Sequence, residues 1–265
     1  MPNNNLNPDK VLIFDLKGPI AHFRKYYTNS SSLSYLFPSR AVITGLIAGL
    51  LGIPNEKSKD VGKRYYEQFS DKNCLIAVSI RTAMRRMMQS VNYIRTKSLS
   101  ELDGSAGGTQ IPLEILLPEN GGEIVYRIYF WHKEEEKIYL KLKERLENQC
   151  FVYPPYMGIT EFLASIEYVD EGKLKQIENG REILLEVSCK INDVEPVFKK
   201  NMEQCFVPEK MPTGFSNDRT PTPHRNYLVI SKGKGISVKI KDGSNCYSVE
   251  YLEKGCTQIE NIMPL

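Results

Sequence analysis

The chain has 265 residues, 41% of them hydrophobic and 25% charged, with a formal net charge of +3. That is enough apolar material for one large or two modest cores. Six cysteines without a CxxC pair, and three histidines without helical ligand spacing, argue against a zinc centre, so neither metal nor cofactor is expected.

The small net charge conceals a segregation. Residues 16–100 hold fourteen Lys and Arg against four Asp and Glu, an excess of +10. Residues 16–55 and 72–100 contain no acid at all. Positive charge gathered among Tyr, Asn, Ser and Gln is the footprint of a polyanionic partner.

The opening MPNNNLNPDK is polar and lacks the apolar core of a signal peptide. The longest apolar run, Val42 to Ile53, is twelve residues with three glycines, too short to span a bilayer. A soluble cytoplasmic protein with no membrane partner is expected. Lys10 to Leu16 reads as a buried strand, followed by a long polar connection to Leu36. Pro38-Ser39-Arg40 opens a helix to about Leu51, with Ser39 as its cap, and Gly52 and Pro54 close it. Gly45, Gly49 and Gly52 share a face, which predicts close approach of this helix to a sheet.

Asn73 to Ile80 and Ile124 to Trp131 read as the next two strands. The segment between them, about 82–123, is long for a hairpin connection and carries a glycine-rich tip, Gly104 to Gly108. It predicts a projecting arm. Glu134 to Gln149 is amphipathic, with Ile138, Leu142 and Leu146 four residues apart, and reads as one helix. Thr160 to Val169 supplies a fourth strand. Strand, helix, strand, strand, helix, strand is the ferredoxin-like pattern shared by RNA-recognition modules. From about residue 171 the chain turns to short strands (Ile183–Ile191, Asn226–Ser231, Ile236–Ile240, Tyr247–Leu252) separated by Gly, Pro and Asn. The expected fold class is α+β. Residues 1–170 form a ferredoxin-like palm with a long β-hairpin thumb at about 82–123, and residues 171–265 a smaller C-terminal β-rich lobe.

The third strand lacks the aromatic octapeptide of an ordinary RNA-recognition module, so RNA would be held by loops and protrusions. Arg24 and Arg40 bracket the first connection and the helix start, where a helix N-terminus also favours phosphate. Arg85 and Arg86, being consecutive, face opposite ways on an extended arm, so one of the two is expected on RNA. Asn92, Tyr93, Arg95, Lys97 and Gln110 continue the arm, and His22 lies in the first connection. These ten are the candidate RNA-binding residues.

Several runs, in order and spacing, resemble one family. They are Gly18-Pro19-Ile20-Ala21-His22-Phe23-Arg24, Ser34-Tyr35-Leu36-Phe37-Pro38-Ser39-Arg40 and the glycine-patterned Gly45 to Gly52. Asn92-Tyr93-Ile94, Thr109-Gln110-Ile111-Pro112-Leu113-Glu114, Arg127-Ile128-Tyr129 and Tyr156 to Phe162 follow. Beyond residue 170 only Lys210-Met211-Pro212 and Gly235 to Lys239 continue it. Together they resemble the CRISPR-associated Cas-five family of the RAMP superfamily, and the type I-B branch within it. The resemblance implies a non-catalytic subunit of a type I CRISPR interference (Cascade) ribonucleoprotein complex, in antiviral defence. Such a subunit grips and caps the 5′ handle of the guide RNA (crRNA), contacts the backbone and large subunits, and meets target DNA only indirectly.

One branch of the family cleaves precursor guide RNA without metal, which gives an alternative reading as an endoribonuclease. Such cleavage needs a base, an acid and a cation at the phosphorane. Tyr35, His132 and Lys133 offer those groups, although Glu134, Glu135 and Glu136 follow at once and repel phosphate. A single-stranded RNA binder unrelated to CRISPR is a further alternative.

Overall fold

The computed structural model describes residues 8–28, 30–55, 59, 64–94, 98–197, 206–214, 220, 222–230 and 235–265. In chain order the strands begin with β1 (Lys10–Gly18), β2 (Phe23–Arg24) and β3 (Ser34–Tyr35). Helix α1 (Arg40–Leu51) and the short α2 (Tyr65–Gln68) come next. Then follow β4 (Cys74–Ile80), β5 (Met84–Ile94), β6 (Gly108–Pro118) and β7 (Ile124–His132), α3 (Lys141–Asn148), and β8 (Ser165–Gln176). The last part holds β9 (Glu182–Leu185), β10 (Cys189–Lys190), β11 (Val194–Pro196), β12 (Phe206–Pro212), β13 (His224–Ile230), β14 (Ile236–Ile240), β15 (Tyr247–Glu253) and β16 (Cys256–Ile262). The molecule is a mixed α+β protein, rich in strands.

Its centre is a six-stranded antiparallel sheet in the order β16-β15-β8-β1-β7-β4. Strand β1 is apolar from Val11 to Phe14 and again at Leu16 because both faces of this sheet are covered. Leu12, Phe14 and Leu16 point to one core, shared with Ile43 and Ile47 of α1 and Leu142 and Leu146 of α3. Val11 and Ile13 point to a second core built with Leu185, Val238, Val249 and Ile262. Strand β4 divides likewise, with Ile76 and Val78 on one side and Leu75 and Ala77 on the other. Each such side chain contributes about 1.5–3 kcal/mol when fully buried.

The sheet also carries a buried polar seam. Arg127 on β7 donates to both Asp15 oxygens at 2.8 and 2.9 Å, to both Glu253 oxygens at 2.8 and 2.7 Å, and to the Tyr251 hydroxyl. Arg81 donates to Glu260 at 2.6 Å and to Tyr129 at 2.9 Å. These bonds tie β15 and β16 to β1 and β7. The expected boundary at residue 170 falls inside β8, and β15 and β16 extend the same sheet, so the two halves of the chain share it.

Local expectations meet three differences. Ser39 precedes α1 in extended conformation but makes no side-chain cap bond; the C-terminus does close as expected, with Gly52 at φ 73° and Ile53 N–H donating to Ala48 O at 2.8 Å. Gly45 and Gly49 are not pressed on a sheet. A Cβ at either meets nothing within 4 Å, and both line an open apolar groove with Tyr153 and Leu163. The segment read as one helix over 134–149 starts as a π-helical stretch, Glu135–Leu140, before α3.

Candidate nucleic-acid interface

The arm expected at 82–123 is a two-stranded antiparallel hairpin, β5 against β6, paired from Met84↔Pro118 to Ile94↔Gly108. Its base is fixed to the body and its outer part is not. On β6, Leu113 to Leu116 are buried and bridge Ser32 and Ala21 of the first connection. Beyond them Gly108 to Gln110, and nearly all of β5, are exposed. An isolated two-stranded ribbon is marginal in water, so the docked base is what holds it.

Alternation along β5 sorts the candidate residues onto two faces. Arg85, Gln89 and Tyr93 lie on one; Arg86 and Asn92 lie on the other, where Asn92 pairs directly with Gln110. Arg85 is exposed and makes no hydrogen bond or ion pair among the described residues. Arg86 is committed: it meets Glu114 at 3.3 Å and Glu209 at 2.9 Å. Glu209 is 3% exposed and also takes Lys25 at 3.1 Å, while Glu114 accepts the Ser34 amide at 2.8 Å. Tyr93 is 46% exposed, as a stacking platform must be. Asn92 and Gln110 are exposed too. Arg95 and Lys97 lie outside the described residues.

Three expected contacts have other partners. His22 is 1% exposed; Nδ1–H donates to Glu114 O at 2.7 Å, and Nε2 accepts the Ser32 hydroxyl at 2.9 Å. Burial lowers its pKa, in keeping with a neutral ring. It braces the first connection against β6 instead of projecting from it, and Gly158 seals it from behind: a Cβ there would sit 1.9 Å from His22 O. Arg40 is 9% exposed and spends Nη2 on Phe69 O and Cys74 O, both at 3.1 Å. Arg24 stays exposed, with one bond to Thr28 O at 3.2 Å.

The groups of the endoribonuclease reading are not assembled. Tyr35 is buried, donates to Lys210 O at 3.2 Å, and burial pushes its phenol well above the usual range. His132 is buried at the far end of β7, where Nε2–H donates to Gln68 O and Nδ1 accepts the Glu134 amide, both at 2.9 Å. Burial lowers its pKa as well. Tyr126, which donates to Leu36 O beside Tyr35, is six residues from His132 on β7, about 20 Å at ~3.3 Å per residue. Lys133 is exposed beside three glutamates. Among the described residues no His, Cys, Asp or Glu group is arranged to hold a metal, and no helix is long and apolar enough to cross a membrane.

Sequence reasoning missed Glu114 and Glu209, which collect Lys25 and Arg86 from up to 184 residues away. No local signal marks them; both lie beyond the basic stretch of residues 16–100 and read as isolated surface acids. It also missed Lys190, which sits in a segment read only as strand, and Arg225, which immediately precedes one.

No protein-family model matches the chain, and no curated protein matches it. Among solved structures the chain is similar to a CRISPR protein from Archaeoglobus fulgidus, with a TM-score of 0.53 and 18% identity over 96% of this chain and 98% of that one. It is also similar to a chain of a CRISPR RNA-guided surveillance complex, at TM-score 0.48 and 12% identity, covering 86% and 91%. A chain of a type III-B Cmr-beta complex bound to cognate target RNA and AMPPnP gives 0.47 and 11%, covering 87% and 86%. Only the first bears on the fold, which this chain shares nearly end to end.

Proposed function

We propose that this protein is an RNA-binding subunit of a type I CRISPR interference complex, gripping the 5′ handle of a guide RNA with the β5–β6 hairpin. The observation that carries the proposal is that hairpin: anchored at its base, exposed over its outer part, and presenting Arg85, Tyr93, Asn92 and Gln110. Cations with aromatic and amide groups on a protruding ribbon suit a single strand, whose phosphates and splayed bases are both reachable. The central strand order supports a ferredoxin-like palm. Of the first, second, third and fourth palm strands β1, β4, β7 and β8, the sheet runs fourth, first, third, second, with the hairpin as its thumb. The shared fold with a CRISPR protein supports the setting. The separation of Tyr35 from His132 and Lys133 supports a binding role over cleavage.

The test is retention of RNA. The full chain, expressed with its native neighbours and a repeat RNA, should copurify with guide RNA. Alone it should bind the single-stranded repeat more tightly than duplex DNA of the same sequence. Equal or tighter binding to the duplex would overturn the reading. So would a specific cut with a 2′,3′-cyclic phosphate end after incubation in EDTA.

A further inference from the structure

A cleft of about 290 Å³ opens between the first turn of α1, the α2–β4 turn and the ends of β10, β12 and β13. Three cations from three distant segments line it: Arg40, Lys190 and Arg225. Asp71, which is exposed, is the one acidic side chain among the described lining residues.

The register explains the grouping. Lys190 lies opposite Tyr227, and Arg225 precedes Tyr227 by two residues, so all three share one face of the β10-β13-β12 sheet. Arg40 faces them from α1. Neither the Lys190 nor the Arg225 side chain has a hydrogen bond or ion pair among the described residues. Arg40 uses only Nη2 for its backbone bonds, which leaves Nε and Nη1 uncommitted. Two hydroxyls, Thr213 and Thr222, meet at 2.9 Å on the wall. The first turn of twelve-residue α1 carries no acid and no side-chain cap, so its amide end adds positive potential at Arg40 and Ala41.

An unpaired, largely buried cation costs free energy unless something offsets it. Burial lowers the Lys190 pKa, with Arg225 and Arg40 pushing the same way and Asp193 and Asp71 opposing. A bound anion would reverse that balance.

We propose that this cleft is a phosphate-binding site, taking a phosphomonoester or phosphodiester group between Lys190, Arg225 and Arg40. The site stands apart from the hairpin and does not depend on it. Its ligand is a free phosphate or a phosphate of an RNA strand, and the test separates the two.

Inorganic phosphate is titrated calorimetrically into the full chain at low ionic strength, against chloride at matched ionic strength. Saturable binding is expected, weakened at least tenfold by Lys190→Met and by Arg225→Gln, since a charged hydrogen bond is worth about a tenfold change or more. Lys190→Met keeps the packed stem, and Arg225→Gln changes an exposed residue, so one stays interpretable if the other misfolds. Binding at alkaline pH should also take up protons, as Lys190 regains its charge. Absence of saturable binding, or binding that survives both substitutions, overturns the site. A second arm uses oligoribonucleotides with a 5′-phosphate or a 5′-hydroxyl. Weakening by the variants in both identifies a backbone diester, weakening only with the 5′-phosphate a terminal group, and none a free phosphate. The inorganic arm contains no RNA, so its failure leaves the hairpin reading untouched.

Discussion

Arg85 and Arg86 are neighbours in sequence, yet replacing each by Gln should produce opposite results. Arg85 is exposed and has no partner among the described residues, so Arg85→Gln should leave stability within about 0.5 kcal/mol. On the proposed function, its effect falls on RNA binding. One phosphate contact on a single strand contributes about −0.7 to the slope of log K against log salt. Between 1 M and 0.15 M salt that amounts to roughly a fourfold change in affinity. Arg86→Gln instead strips one partner from Glu209, which keeps only Lys25 at 3.1 Å, and one from Glu114, which keeps the Ser34 amide. A charged hydrogen bond is worth about 1.5–3 kcal/mol, reduced here because the Arg86 side chain is 35% exposed, so a loss of about 1–2 kcal/mol is expected. With unfolding entropy near 2.1 cal/mol/K per residue over 265 residues, Tm should drop by about 2–4 °C. Fluorescence anisotropy of a labelled single-stranded repeat across a salt series reads the first effect, and a thermal melt the second. If Arg86→Gln lowered the salt slope without moving Tm while Arg85→Gln left the slope alone, the assignment of the two faces would be refuted.

Arg127→Met should cost about 3–5 kcal/mol, because Asp15, 6% exposed, is left charged and buried without its partner. Urea unfolding followed by the single tryptophan, Trp131 on the same strand, measures it, and adding Asp15→Leu should restore part of the loss; no recovery would contradict the pairing. Acid should destabilise the protein from about pH 6.5 downward. His22 and His132 have lowered pKa values in the fold, so below the ordinary histidine value the unfolded chain binds more protons. Each histidine contributes a slope of up to about 1.4 kcal/mol per pH unit in that window. Chemical denaturation at pH 7.5, 6.5 and 5.5 should show the decline, with a shallower slope in His22→Asn; an identical slope in the variant would count against a neutral buried His22.

Much of the central sheet and of α1 was legible because their signals are local. The apolar run at Lys10 to Leu16, Pro38 before α1 and the forty-residue excursion before Ile124 each announce their element without reference to distant residues. What failed was long-range. Arg40 and His22 look like ligand-seeking groups in a basic, polar stretch. Their partners are carbonyls of Phe69, Cys74 and Glu114, up to 92 residues away, which no local pattern reveals. Gly45 and Gly49 promised close packing, but a small residue opens a groove as readily as it admits a neighbour. Strand β16 escaped notice because its inward Glu260 reads as solvent-facing; in the fold that carboxylate receives Arg81, Tyr129 and Tyr251. Strand β12 was masked by two prolines and two charges.

The central position of β1 has a bearing on biosynthesis. This strand is made first, yet its partners β7 and β8 arrive more than a hundred residues later, and the layer covering Val11, Ile13 and Leu75 only with Leu185 to Met263. At about 5–20 residues per second on the ribosome, the interval from residue 176 to 262 lasts about 4–17 s. During that time one apolar face of a nearly finished sheet stands bare. Such non-local pairing makes for slow folding and exposure to aggregation, so a nascent chain of this design gains from a chaperone or an early-docking neighbour until its C-terminal strands have extended and covered the sheet.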